Sequence, residues 1–266
     1  MTDRPVLVDS GVGVLGAVIT VPDGPPKAAA VILHGSVGSR AGTNQVWFRM
    51  ARALGEMGVV TIRSDYPGLG ESHQADSGAK RSGAQDLVHW FRERTGDVDL
   101  LVIALCYGLL PAVEVVRNHR NVAGVAVIAP PWFPSLDHSR PSTVRQAARW
   151  AARRVASARR LPRETLRRAR YGRSSVPDFS QDVALLAHIP ELLSELVGNA
   201  PVWLLKGERD PATPGLRELA EAGRCRLEVV EGCTLHPYTE PWAQEAIFDR
   251  TLAWAERCLQ PVETAP

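Results

Sequence analysis

The chain has 266 residues, enough for one large domain or two small ones, and 45% of them are apolar and 23% charged. This composition predicts a globular protein with a full core and excludes a disordered chain. The net charge of +2 argues against a nucleic-acid-binding protein. The best apolar run, residues 11–21, is shorter than the about 18 residues of a membrane span. It also lacks the basic flank of a secretory signal.

The cysteine pattern argues against a disulfide scaffold and against a zinc knuckle. Four cysteines are present, and no two of them form a CxxC pair: Cys106, Cys225, Cys233 and Cys258. We therefore expect a reduced, cytoplasmic compartment. The sequence contains no metal, nucleotide or flavin motif, so we expect no cofactor and no metal.

Short apolar runs alternate with longer segments of helical spacing. In chain order, strands are predicted over residues 14–21, 28–33, 59–62, 100–105, 122–128, 201–205 and 225–230. Helices are predicted between and after them, over residues 47–57, 85–94, 109–116, 216–222 and 241–259. This alternation is typical of α/β proteins, whose mostly parallel, twisted sheet carries helices on both faces. Ligand sites in such sheets lie at the carboxyl ends of the strands.

One segment, residues 131–198, interrupts this alternation because it contains no convincing core strand. Residues 140–173 carry twelve arginines and a single acid, Glu164. We interpret the segment as an Arg-rich helical lid inserted into a core that is formed by residues 1–130 and 199–266.

The lid is expected to contribute aromatic side chains to a substrate pocket. Trp132, Phe133 and Trp150 are the candidates, and an aromatic roof suits a mostly apolar acyl substrate. Two interpretations of the arginines remain open. They form either a solvated helical face or a dock for an anionic substrate, a coenzyme A thioester or an acyl carrier protein.

The predicted strand over residues 100–105 ends in the sequence ALCYG, with Cys106 at its centre. Small residues two positions before and after Cys106 leave room for a tight strand-to-helix turn, the geometry of a nucleophile elbow. The helix that follows is expected to favour the thiolate, which would make Cys106 the most rapidly alkylated cysteine. The alternative is an inert, buried core cysteine.

Two glycine-rich loops follow other predicted strands. The sequence HGSVG begins at His34 and can aim backbone N–H groups at a reacting oxygen. We predict Ser36 and Tyr107 as the two oxyanion-hole donors, although a generic glycine-rich turn is the alternative for the first loop. The sequence DYPGLGES begins at Asp65, and we give it a structural role because its glycines permit sharp turns.

Two further strand ends supply an acid and a base. Asp210 follows the strand over residues 201–205 and is placed to orient a histidine, with Glu208 as its nearby competitor. His236 lies on the loop after the last strand and is the candidate general base. A solvated turn and a surface histidine are the alternatives, because each feature is weak when taken alone.

Taken together, these features resemble the α/β-hydrolase fold family over nearly the whole chain. The motifs HGSVG, DYPGLGES, ALCYG and GERDPATP, followed by His236, have the family's order of nucleophile, acid and histidine. The resemblance implies an α/β-hydrolase fold with a helical lid and a Cys106–Asp210–His236 triad. Cys106 departs from the serine of most members. The GxCxG-type elbow resembles dienelactone hydrolases, although Ala104 replaces the first glycine, and the other motifs resemble lidded hydrolases and thioesterases.

A cysteine nucleophile predicts hydrolysis or acyl transfer on a small ester, lactone or thioester, because the acyl intermediate would be a reactive thioester. The high content of Ala, Arg and Pro is typical of a GC-rich bacterial source and suits specialised metabolism. One alternative is a lyase that eliminates an acyl group such as acetate from a tetronate- or polyketide-like intermediate. Another is a non-catalytic ligand-binding protein on the same fold. No nucleic-acid or membrane partner is expected.

Overall fold

The computed structural model describes residues 1–35, 38–73, 79–131, 188–210, 213, 215–235 and 240–260. Its sheet has eight strands in the described residues: β1 (Thr2–Ser10), β2 (Gly13–Val21), β3 (Ala28–Leu33), β4 (Val59–Ser64), β5 (Asp99–Leu105), β6 (Val122–Ile128), β7 (Val202–Gly207) and β8 (Arg226–Val230). Their order across the sheet is β1-β2-β4-β3-β5-β6-β7-β8. β2 pairs antiparallel with β1 and β4, and all other pairs are parallel. The prediction of a mostly parallel sheet is confirmed.

Helices cover both faces of the sheet, as predicted. In chain order the described helices are α1 (Val46–Glu56), α2 (Ala79–Thr95), α3 (Leu109–Asn118), α4 (Ile189–Asn199), α5 (Leu216–Glu221) and α6 (Pro241–Leu259). α1 and α6 bury their apolar sides on one face, and α2, α3, α4 and α5 bury theirs on the other. All six residues of β3 are buried, and their side chains alternate between these two cores. This explains why β3 is a continuous apolar run.

The first strand, β1, was not predicted from the sequence. It lies at the edge of the sheet, and Val8 is its single buried residue. Its polar sequence therefore lacks the apolar run that identifies a central strand. The strand is specified instead by its pairing with β2. This pairing extends along its whole length, from Thr2 opposite Val21 to Ser10 opposite Gly13.

Helix α4 belongs to the core, although the sequence analysis included residues 189–198 in the lid. Leu193 and Leu196 are fully buried in the same core as α2 and α3. On its surface, Glu195 accepts a hydrogen bond of 2.5 Å from the guanidinium of Arg117 in α3. This bond lowers the pKa of Glu195. The rest of the predicted lid, residues 132–187, lies outside the described residues and stays a prediction.

The parallel strands bring the predicted site loops to one edge of the sheet. Leu33 pairs with Ala104, Leu105 pairs with Ile128, and Ile128 pairs with Leu205. The chain therefore leaves β3, β5, β6 and β7 at neighbouring positions. This is the edge at which open α/β sheets bind their ligands.

Candidate active site

Cys106 stands at the tight turn between β5 and α3. It begins a three-residue 3-10 turn, Cys106–Gly108, and α3 starts at the next residue. Its φ angle is 49°, a left-handed conformation that residues other than glycine seldom adopt. Its side chain is 8% exposed. Backbone strain at a strand-to-helix turn is the geometry that a nucleophile elbow requires. The role of Cys106 as nucleophile stays a prediction.

Gly108 lets the start of α3 approach the end of β3. A Cβ atom at this position would lie 2.2 Å from the carbonyl oxygen of Leu33. The φ angle of Gly108 is −58°, which any residue adopts, so the requirement for glycine is purely steric. The small residue two positions after Cys106 is thus explained by close backbone packing.

We expect Gly108→Ala to lower the free energy of unfolding by about 1–3 kcal/mol, because the added methyl group overpacks a buried contact. Gly198→Ala is the matched control, since no atom lies within 4 Å of its Cβ position on the exposed side of α4. There, alanine should raise the free energy of unfolding by about 0.5–1 kcal/mol. Urea unfolding measures both. A Gly108→Ala protein as stable as the wild type would contradict the steric explanation.

The Cys106 thiol is neutral at physiological pH. Burial raises its pKa from 9.0 to about 12. A backbone hydrogen bond from Tyr107 lowers this pKa, and the negative charge of Asp210 raises it. This direction is opposite to the expected preference for the thiolate, because the loss of hydration outweighs the backbone hydrogen bond from Tyr107. A nucleophilic role for this thiol would therefore require a base that removes its proton.

Alkylation of Cys106 should accelerate steeply with pH. Below a pKa of about 12 the thiolate fraction rises about tenfold for each pH unit, so we expect the same rise in rate from pH 7 to pH 10. Mass spectrometry of the Cys106 peptide after timed reaction with iodoacetamide measures this rate. A rate that is already constant between pH 6 and 8 would contradict a neutral thiol and indicate a preformed thiolate.

The loop after β3 is anchored at its first residue, His34. This side chain is 1% exposed, and its Nε2 lies 3.0 Å from the carbonyl oxygen of Ser64 while its Nδ1 lies 2.7 Å from that of Gly35. The Tyr66 hydroxyl donates a hydrogen bond of 2.8 Å to the carbonyl oxygen of His34. Buried hydrogen bonds of this kind hold the backbone of the loop against the end of β4.

The two predicted oxyanion donors differ in what the structure describes. Tyr107 is half-buried, and its backbone N–H donates a hydrogen bond to Cys106. An N–H group at this position could also donate to the oxyanion of a substrate that is bonded to the Cys106 sulfur. Ser36 lies outside the described residues. Both assignments stay predictions.

Asp210 and Glu208 have separate surroundings at the end of β7. The Asp210 carboxylate accepts a hydrogen bond of 2.7 Å from the backbone N–H of Gly207, and its charge acts on Cys106. Glu208 is exposed and accepts a hydrogen bond of 2.7 Å from the backbone N–H of Gly232. Of the two acids, Asp210 is the one with an electrostatic effect on the candidate nucleophile.

The chain leading to His236 packs directly on the end of β7. A Cβ atom at Gly207 would lie 2.6 Å from the carbonyl oxygen of Cys233 and 2.8 Å from the backbone nitrogen of Leu235. Leu235 is fully buried. The residue before His236 is thus adjacent to Gly207, whose N–H binds Asp210. His236 itself lies outside the described residues, as do Trp132, Phe133 and Trp150.

Arg40, which was not predicted as a site residue, forms an ion pair with the buried Asp65. A lone arginine in a glycine-rich loop carries no signal that identifies its partner, and the two residues are 25 positions apart. The sequence identifies Asp65 as the first residue of DYPGLGES, but it does not predict that this carboxylate is buried.

The described residues contain no cluster of three metal-ligating side chains. None of the helices described is both long and apolar enough to cross a membrane. In the described residues all four cysteines are free.

Comparison of the sequence with family models matches the alpha/beta hydrolase family over residues 30–246. This range starts in β3 and ends in α6, so it includes the carboxyl ends of β3 to β8. A search among curated proteins finds no match.

Three solved structures illustrate the fold that this chain shares. A carboxyl esterase from Bacillus coagulans in complex with glycerol has 12% identity, a TM-score of 0.65 and coverage of 98% of this chain and 100% of its own. A lipase in an open form has 20% identity, a TM-score of 0.66 and the same coverage. A monoglyceride lipase variant from Saccharomyces cerevisiae has 13% identity, a TM-score of 0.65 and coverage of 98% and 96%. At these identities the likeness shows the fold alone.

Proposed function

Because the chain belongs to the alpha/beta hydrolase family, we propose that it is a thiol-dependent enzyme acting on a small ester, lactone or thioester by hydrolysis or acyl transfer. The observation that carries this proposal is the position of Cys106 on a strained turn at the end of β5, next to the Tyr107 N–H and within the field of Asp210. Backbone strain of this kind costs stability and is concentrated at functional sites. Nucleophile elbows have this feature in common.

The proposed reaction begins with transfer of the Cys106 proton to His236 as the sulfur attacks the substrate carbonyl carbon. A C–S bond forms, and the carbonyl electron pair moves to the oxygen, where the N–H groups of Tyr107 and Ser36 stabilise the negative charge. The C–O or C–S bond to the leaving group then breaks, and His236 returns its proton to that group. The product is a thioester on Cys106.

The second half of the reaction regenerates the thiol. His236 takes a proton from water or an acceptor alcohol or amine, whose oxygen or nitrogen attacks the thioester. The C–S bond breaks, and the proton returns to Cys106. The Asp210 carboxylate holds the imidazole in the required tautomer and stabilises its positive charge. The raised pKa of Cys106 makes this base necessary in both halves.

Esters and thioesters suit this site better than amides. Alkoxides and thiolates leave with less acid assistance than amines do. In the tetrahedral intermediate of an amide, the Cys106 sulfur would leave more readily than the amide nitrogen, and the substrate would be re-formed.

We propose an anionic acyl donor, such as a coenzyme A or carrier-protein thioester, on the basis of the Arg-rich segment between residues 140 and 173. A free thiol nucleophile also favours a reducing, cytoplasmic compartment, and we retain bacterial specialised metabolism as the setting.

Turnover of matched acyl donors tests this proposal. With one short acyl group, we expect the aryl ester and the coenzyme A thioester to be cleaved and the anilide to be resistant. If the Arg-rich segment docks the donor, KM for the thioester should rise between low and physiological salt, because screening weakens attraction between exposed charges. No turnover of any donor, together with retained ligand binding, would instead support a non-catalytic protein on this fold.

A further inference from the structure

The carboxylate of Asp65 lies buried directly after β4 and is bound mainly by the loop that follows β3. The residue is 1% exposed. Oδ1 accepts a hydrogen bond of 2.8 Å from the backbone N–H of Arg40, and Oδ2 accepts one from the Arg40 guanidinium and a longer one, 3.3 Å, from the backbone N–H of Glu71. A buried carboxylate needs such partners, since its loss of hydration is costly. Asp65 therefore binds both the main chain and the side chain of Arg40.

Glycine at position 70 is required by this carboxylate. A Cβ atom there would lie 2.1 Å from Oδ2 of Asp65, and the φ angle of Gly70 is 52°. The second glycine of DYPGLGES thus makes room for Asp65. In addition, the Ser72 hydroxyl donates a hydrogen bond of 2.7 Å to the Asp65 carbonyl oxygen. Gly70 and Ser72 of the loop over residues 65–72 are therefore both explained by their contacts with Asp65.

Arg40 is held from two further directions. Its carbonyl oxygen accepts a hydrogen bond of 3.2 Å from the guanidinium of Arg63, whose side chain is 5% exposed. Its guanidinium also donates a hydrogen bond of 2.6 Å to the carboxylate of Glu71. The Glu71 side chain is 70% exposed, so this ion pair lies at the surface. The buried contact with Asp65 and the exposed contact with Glu71 thus act on the same side chain.

The loop after β3 is consequently fixed at two places by residues at and directly after the end of β4. At its start, Tyr66 binds the His34 carbonyl oxygen and the Ser64 carbonyl oxygen faces the His34 ring. At its end, Asp65 binds Arg40. Between these two anchors runs the stretch that carries the predicted oxyanion donor.

We propose that Asp65 and Arg40 form a positioning pair that fixes the described part of the loop after β3, and with it the oxyanion donor that is predicted on this loop. This inference rests on the proposed function, since it assigns the pair to the stabilisation of an acyl-transfer oxyanion. Asp65 touches no reacting atom and acts through Arg40 and the loop backbone. Oxyanion donors are effective only when they are held rigidly at the place where charge develops. A displacement of about 1 Å is enough to cost about a hundredfold in rate.

The test compares Asp65→Asn with Glu71→Gln, which removes the exposed ion pair of the same arginine. We expect Asp65→Asn to lower kcat for aryl ester cleavage by about ten- to a hundredfold with KM changed less than about threefold. Glu71→Gln should change both constants less than about twofold. The rate of Cys106 alkylation by iodoacetamide should stay unchanged in both variants, because alkylation forms no oxyanion. Equal losses of alkylation and acyl transfer in Asp65→Asn would overturn the proposal.

A second variant and a second readout keep the proposal testable if Asp65→Asn folds poorly or if no ester is cleaved. Arg40→Gln retains the backbone N–H bond to Asp65 and is expected to show a smaller loss of kcat. Hydrogen–deuterium exchange of peptides spanning residues 34–46 should be faster in Asp65→Asn and Arg40→Gln than in Glu71→Gln and wild type. Unchanged exchange would overturn the positioning pair by itself. Absence of ester cleavage by wild type, with faster exchange in the variants, would overturn the proposed function alone.

Discussion

Cys106→Ala is expected to lower the rate of ester or thioester cleavage by about four to six orders of magnitude while the protein stays folded. The loss is large because removal of a nucleophile eliminates the covalent route and leaves only binding and oxyanion stabilisation. Alanine retains the Cβ atom and removes a single sulfur, so the free energy of unfolding should fall by only about 1 kcal/mol. Steady-state kinetics and urea unfolding measure the two effects separately.

Cys258→Ala is the matched control for this variant. Cys258 is also a free thiol, and burial raises its pKa to about 11. It lies near the C-terminal end of α6, where its sulfur packs against Gly124. The same chemical change should there cost stability and leave the rate within about twofold. Full activity in Cys106→Ala would contradict the role of Cys106, and equal loss in both variants would indicate a general effect of thiol removal.

Asp210→Asn is expected to lower the acyl-transfer rate by about three to four orders of magnitude. Asparagine preserves the shape of the side chain and can still accept the Gly207 N–H bond, but it cannot hold the imidazole of His236 in the required tautomer or stabilise its charge. His236→Ala should cause a similar loss, because the neutral Cys106 thiol then lacks a base. Kinetics of the two variants at several pH values would measure this dependence.

The two functions of Asp210 can be separated experimentally. Its negative charge raises the pKa of Cys106, so neutralising it should lower that pKa and make alkylation at pH 8 faster, while acyl transfer becomes slower. Glu208→Gln is the control and should change the acyl-transfer rate less than about twofold, since Glu208 is exposed and binds Gly232. An inactive Glu208→Gln together with an active Asp210→Asn would show that the acid was assigned to the wrong residue.

Much of the fold was accessible from the sequence because the central strands are buried on both faces. Strands β3 and β6 have the predicted bounds, since continuous apolar runs specify such strands directly. β1 was not predicted because its structure is determined by pairing with β2 and not by burial of apolar side chains. Helix α4 was assigned to the lid because the sequence could not show that Leu193 and Leu196 pack beside α3.

The places of Cys106 and Asp210 in the fold were also predictable, while their electrostatics were not. The positions of Cys106 after β5 and of Asp210 after β7 follow from strand periodicity and topology. The protonation of Cys106 depends on how completely the folded chain excludes water, which no local pattern records. The pairing of Asp65 with Arg40 likewise depends on two loops that meet only in the folded sheet.

Detection of an acyl group on Cys106 during turnover tests the central claim most directly. Wild-type protein is mixed with an activated aryl acetate, quenched in acid within the first turnovers, and analysed by intact mass and by peptide mapping. We expect one acetyl group per chain, located on Cys106, absent from Cys106→Ala and formed more slowly in Asp210→Asn. Product release at the wild-type rate with no adduct at any time would contradict a covalent intermediate and indicate direct attack of water on the ester.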